Sequence, residues 1–156
     1  MKTETVNGAF RFNVPDGFEP MTEEQLRRHY STTENLVGFL RSEDGAMINV
    51  GFAPKRFPVS MLFSAKDIIK NYDAGFSKRL NSYKRTDEHS REICGITCPG
   101  MSFEYSTLHE NVPMKAEVYS VKHKGAFYAI IFIVRRTGGD DLERLAEEVL
   151  PGISLG

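Results

Sequence analysis

Nine consecutive apolar residues at 126–134, Ala-Phe-Tyr-Ala-Ile-Ile-Phe-Ile-Val, constrain this chain more than any other feature. The run is far short of the roughly 20 residues that span a bilayer. Read as a strand, it places successive side chains on opposite faces. Both parities of 127–134 are apolar, so both faces have to be covered. The strand therefore belongs in the centre of a sheet, with a layer above and a layer below. The segment before it is joined by the short turn Lys124-Gly125, and a connection that short requires antiparallel pairing.

The rest of the pattern supplies its neighbours. Residues 9–14 alternate, with Phe10, Phe12 and Val14 on one face, and Pro15-Asp16-Gly17 ends that strand in a turn sealed by Phe18. Residues 35–41 and 46–53 read as a hairpin across Glu43-Asp44-Gly45, with Ile48, Val50 and Phe52 on one side. Residues 101–107 alternate. Residues 114–123 form a strand with Met114, Ala116 and Val118 on one face and Tyr119 and Val121 on the other. Residues 83–92 are almost entirely polar, either a solvated edge strand protected by its charges or a loop.

Helices are predicted at three places. Thr22 and Gln25 have capping-box form ahead of a short helix through Leu26 and Tyr30. Ser64 caps the main helix, Asp67 suits its positive end, and Ile68, Ile69, Tyr72, Phe76 and Leu80 form its buried stripe. Gly75 within it costs about 1 kcal/mol against Ala and is expected to mark close packing. Asp140 is expected to cap the last helix, with Glu143 completing the box and Leu142, Leu145, Ala146 and Val149 facing inward. Pro151-Gly152 ends it. The expected fold class is α+β: one domain over residues 1–156, an α/β/α sandwich with a mostly antiparallel six- or seven-stranded sheet and helices on both faces.

Composition narrows the function classes. Of 156 residues 40% are hydrophobic and 26% charged, a globular balance, and the formal net charge of -1 gives no general pull toward nucleic acid or anionic lipid. The first residues lack an apolar export signal, so a cytoplasmic location is expected, with a leader already trimmed as the alternative. Cys94 and Cys98 would lie about 13 Å apart in an extended segment, too far for a disulfide unless a turn at Gly95 brings them closer. With no further ligand at finger spacing, they are expected to be reduced and metal-free.

The opening Phe10-x-Phe12-x-Val14-Pro15-Asp16-Gly17-Phe18 resembles that of the superfamily uniting the Mog-type Ran-binding proteins, the PsbP extrinsic subunits of photosystem II and the bacterial DcrB-like proteins. The order of elements fits as well: hairpin, long helix, antiparallel strands, terminal helix. The resemblance implies a fold and a habit of binding other proteins. It carries no shared catalytic motif, and no functional residue is transferred from it.

Chemistry-bearing motifs are scarce. There is no Gly-x-Ser-x-Gly elbow, His-Glu-x-x-His, Walker loop or Gly-x-Gly-x-x-Gly. His29, His89, His109 and His123 are expected at the surface. Gly138-Gly139-Asp140 precedes a helix, but its acidic residues oppose an anion. Lys78, Arg79, Lys84, Arg85 and Arg91 are expected on a solvated face. The best clue to a partner is the Pro-bounded loop after residue 54. There Phe57 and Met61 would form an apolar patch flanked by Lys55 and Arg56, suited to an acidic protein partner. The expected function is therefore a non-enzymatic binding or accessory role through protein contacts, with no cofactor and no nucleic acid. A small-molecule pocket between the sheet and the main helix is the alternative, and an undetected hydrolase a distant third.

Overall fold

The computed structural model describes residues 1–30, 32–54, 63–137 and 141–156. In chain order the strands and helices are β1 (Lys2–Val6), β2 (Phe10–Val14), β3 (Glu19–Pro20), α1 (Glu23–Arg27), β4 (Leu36–Arg41) and β5 (Ala46–Ala53). They continue with α2 (Ala65–Arg79), β6 (Asn81–Ile93), β7 (Ile96–Ser106), β8 (Pro113–His123) and β9 (Ala126–Arg135). Helix α3 (Leu142–Val149) runs into a 3-10 turn (Leu150–Gly152), and β10 (Ser154–Leu155) closes the chain.

The apolar run is β9, and every residue of it except Arg135 is buried. It pairs antiparallel with β5 on one side and β8 on the other, inside a seven-stranded sheet of order β3-β4-β5-β9-β8-β7-β6. Its two parities feed two separate cores. Tyr128, Ile130, Phe132 and Val134 pack with Phe10 and Phe12 of β2 and with Leu145 and Val149 of α3. Ala129, Ile131 and Ile133 pack with Ile69 and Phe76 of α2 and with Phe103 of β7. Each large side chain so buried contributes about 1.5–3 kcal/mol. The covered-on-both-faces reading of 127–134 holds.

The layering refines the expected sandwich. Strand β2 is not in the large sheet. It joins β1 and β10 in a three-stranded sheet that shares with α3 the covering of one face. An alternating strand reveals that one of its faces is buried, not which sheet it joins. Strand β1 had no hydrophobic pattern to announce it, only the Asn7-Gly8 pair after it, whose residues both take positive φ (53 and 68°) as a tight hairpin needs.

The polar segment is a strand: β6 forms the edge of the large sheet, its charges facing water and its register broken by irregularities after Asn81 and Arg85. Helix starts follow the caps. Thr22 with Gln25, and Ser64 with Asp67, each make both bonds of a capping box. The last helix begins one residue later than expected. Asp141, not Asp140, is its N-cap, accepting from Glu143 N at 3.0 Å, and Asp140 lies outside the described residues.

Candidate functional site

One face of α2 presents Ile68, Tyr72, Gly75, Phe76 and Arg79, spaced three and four apart, toward β4, β5 and β9. Between them lies a cleft of about 300 Å³, at the lower end of the range for small-molecule sites. Its origin is a shortage of side chains. Gly51 of β5 and Ala129 of β9 are directly paired on the sheet, and Gly75 stands on the helix above. Nothing lies within 4 Å of where a Cβ on Gly75 would be. The close packing expected at Gly75 is thus replaced by open space: the glycine is a wall of the cleft. Gly51 is the opposite case, since a Cβ there would come within 3.0 Å of the Tyr72 hydroxyl, which lies over it.

The walls are largely aromatic, and Thr32, Asn35 and Asn71 add polar groups beside those of Tyr30, Tyr72 and Arg79. Phe76 packs against Tyr30 (ring centroids 6.2 Å apart) and Tyr72 (5.5 Å), and the Arg79 guanidinium lies 5.6 Å from its centroid. The Tyr30 hydroxyl accepts from Asn49 Nδ2 at 2.8 Å. Arg79 Nη2 donates to the His29 carbonyl at 2.9 Å, while its buried Nε has no partner among the described residues. Burial pushes the Tyr72 hydroxyl up to about 12 and lowers the Arg79 pKa. Glu34 stands at the rim, exposed.

The histidines depart from expectation at two positions. His29 is buried, its Nδ1 2.7 Å from the Tyr105 hydroxyl, and burial pushes its pKa down to about 4. It follows α1, whose Leu26 side seals one core, and the chain carries it inward. His89 is half-buried on β6, its Nε2 2.8 Å from the Tyr119 hydroxyl of β8. That reach spans a whole strand. His89 pairs with Gly100 and Gly100 with Tyr119, and a Cβ on Gly100 would sit 2.5 Å from the Tyr119 ring. The glycine lets the ring lie across β7.

Asp87 lies 3.6 Å from His89 Nδ1, so Tyr119, His89 and Asp87 line up in the order of a nucleophile, base and orienting acid. The hydrogen bonds argue against that chemistry. Tyr119 donates its proton to Glu117 at 2.6 Å and accepts from Arg91 Nε at 3.0 Å. Its remaining contact assigns a proton to His89 Nε2, which leaves that nitrogen no lone pair to act as base. Burial and the Glu117 carboxylate both raise the Tyr119 pKa. His109 is exposed, and His123 meets the Gly156 carbonyl at 2.6 Å.

The basic residues do not gather. Arg85 pairs with Asp73 at 3.1 Å, Arg91 with Glu143 at 3.2 Å and Arg136 with Glu104 at 3.8 Å, while Arg79 turns into the cleft rather than standing on a solvated face. Cys94 and Gly95 form the turn between β6 and β7, and Cys98, two residues into β7, is a buried thiol pushed up to about 11 by burial. Lys55, Arg56, Phe57 and Met61, the expected docking patch, lie outside the described residues. Pro54 and Phe63, on either side of them, line the outer mouth of the cleft.

No family model matches this chain, and no curated protein sequence does. Solved structures do. A Bacteroides thetaiotaomicron protein is similar over 97% of this chain and 47% of its own, at 13% identity and TM-score 0.62, so this chain spans about half its length. The cyanobacterial PsbP (CyanoP) of Synechocystis is similar over 99% of this chain and 92% of its own, at 14% identity and TM-score 0.57. LpqN of Mycobacterium tuberculosis, involved in cell envelope biogenesis, is similar over 93% and 83%, at 14% identity and TM-score 0.57. The chain thus has the PsbP-like fold that its opening corner resembles. Among the described residues no helix is long and apolar enough to cross a membrane.

Proposed function

We propose that this chain is a non-catalytic binding protein whose ligand site is the cleft between α2 and the large sheet. The observation that carries the reading is an aromatic-walled space of about 300 Å³ lined by Ala129 and Gly75, with nothing within 4 Å of where a Gly75 Cβ would be. The bonding of Tyr119, whose proton goes to Glu117 and whose oxygen is met by Arg91 and His89 Nε2, supports the non-catalytic part. The test uses N-phenyl-1-naphthylamine, a neutral apolar dye that brightens on leaving water. Saturable binding is expected, lost in Gly75→Leu, a change that fills the cleft from a helix position where Leu is well tolerated. Dye binding that is absent, or that survives in a folded Gly75→Leu protein, would overturn the proposal.

A second reading keeps the docking patch at Phe57 and Met61, flanked by Lys55 and Arg56, for an acidic protein partner. Phe63, 41% exposed next to that segment, favours it. Under this reading Phe57→Ser and Met61→Ser abolish recovery of the partner and barely move the melting temperature. A loss of several kcal/mol with no change in partners would mean that they plug the core instead.

A further inference from the structure

We propose that the cleft selects small monocarboxylic acids with an apolar body, Arg79 supplying the positive charge and Tyr30 and Tyr72 the hydrogen bonds to the carboxylate. This rests on the cleft being a ligand site and adds the class of ligand. The rings of Tyr30 and Tyr72 and the Arg79 guanidinium all pack against the ring of Phe76, and all three side chains line the cleft. Tyr30 uses its oxygen as acceptor toward Asn49 Nδ2, which leaves its proton to give. Arg79 Nε is buried without an acceptor among the described residues, and the Tyr72 hydroxyl, lying over Gly51, adds a further donor to the cleft lining.

A buried donor such as Arg79 Nε is costly unless something accepts from it. Arg79 bonds to a backbone carbonyl and to no carboxylate among the described residues, so its charge is uncompensated within the cleft. Glu34, the one carboxylate among the described residues that line the site, is exposed and its charge stands in water. An acceptor-only group with one negative charge complements this set, and a carboxylate is that group. One cation among the described lining residues matches one carboxylate and not two. A phosphate dianion is disfavoured further because Arg79 is the last residue of α2, where the helix dipole is negative. The remaining walls, Phe52, Phe76 and Phe127 among them, suit an aliphatic or aromatic body.

The experiment titrates the whole chain by calorimetry with octanoate and 3-phenylpropionate, each against its own primary amide, which keeps the shape and removes the charge. At least tenfold tighter binding of the acids is expected. Arg79→Gln should bring the acid-over-amide preference down to near unity, and Arg79→Lys should restore part of the preference. Amides binding as tightly as acids to the wild-type protein would overturn the carboxylate proposal and leave the cleft standing. So would a preference that survives Arg79→Gln. If neither acids, amides nor the neutral dye bind, the ligand-site reading falls together with this one.

Discussion

His29 illustrates how one residue can carry a property of the whole fold. Its ring is buried against Tyr105, and the folded chain binds a proton there only near pH 4, against an ordinary value of 6.5. Above pH 6.5 the ring is neutral in both states and adds no pH dependence. As the pH falls from 6.5 to about 4, the unfolded chain takes up a proton that the folded chain refuses, so stability falls, and the loss levels off below. The full swing is about 3 kcal/mol. Urea titrations at a series of pH values between neutral and the low fours should show it. His29→Asn, which keeps a polar group for the Tyr105 hydroxyl and cannot titrate, should flatten that slope. A slope equal in both proteins would place the acid sensitivity elsewhere. Sequence alone put His29 at the surface because nothing local marks a histidine that a helix end carries inward.

At the scale of elements, what could be read was what is locally encoded. Capping boxes at Thr22 and Ser64 and the alternation in β2, β5, β7 and β8 involve residues within a few positions of one another, and each was legible. Strands β1 and β10 were not, being short and only partly buried, and they exist because β2 offers them an edge. The cleft is the extreme case. It is lined by small residues that lie far apart in the sequence, Gly51 and Ala129 paired on the sheet and Gly75 on α2. A glycine in a helix looks the same in the sequence whether a neighbour approaches it or nothing does, so Gly75 does not announce an opening. Arg79 was counted with its basic neighbours because its sequence context is polar, and only the packing of α2 turns it inward. A pocket between the sheet and the main helix is the alternative that the sequence leaves open, without naming its residues.

For the whole molecule, β9 is the one strand that both cores share across its entire length, and this makes a sharp expectation about cooperativity. Ile131 belongs to the core under α2, and Phe132, the next residue, to the core under α3 and the small sheet. Both are fully buried. If the two cores were independent, emptying one would loosen its own layer and leave the other. Because the same backbone supports both, a cavity on either face should lower the stability of the whole. Ile131→Ala is expected to cost about 2–5 kcal/mol and Phe132→Ala about 3–5 kcal/mol. In each variant both cores should still unfold in one transition. Tyr105 reports on the first core and Tyr128 on the second, so their ring resonances can be followed separately through a denaturant titration. Coincident midpoints in both variants would show that β9 joins the layers into one cooperative unit. Loss of the Tyr105 signals well before those of Tyr128 in Ile131→Ala, or the reverse in Phe132→Ala, would mean that the sheet separates two domains of stability rather than uniting them.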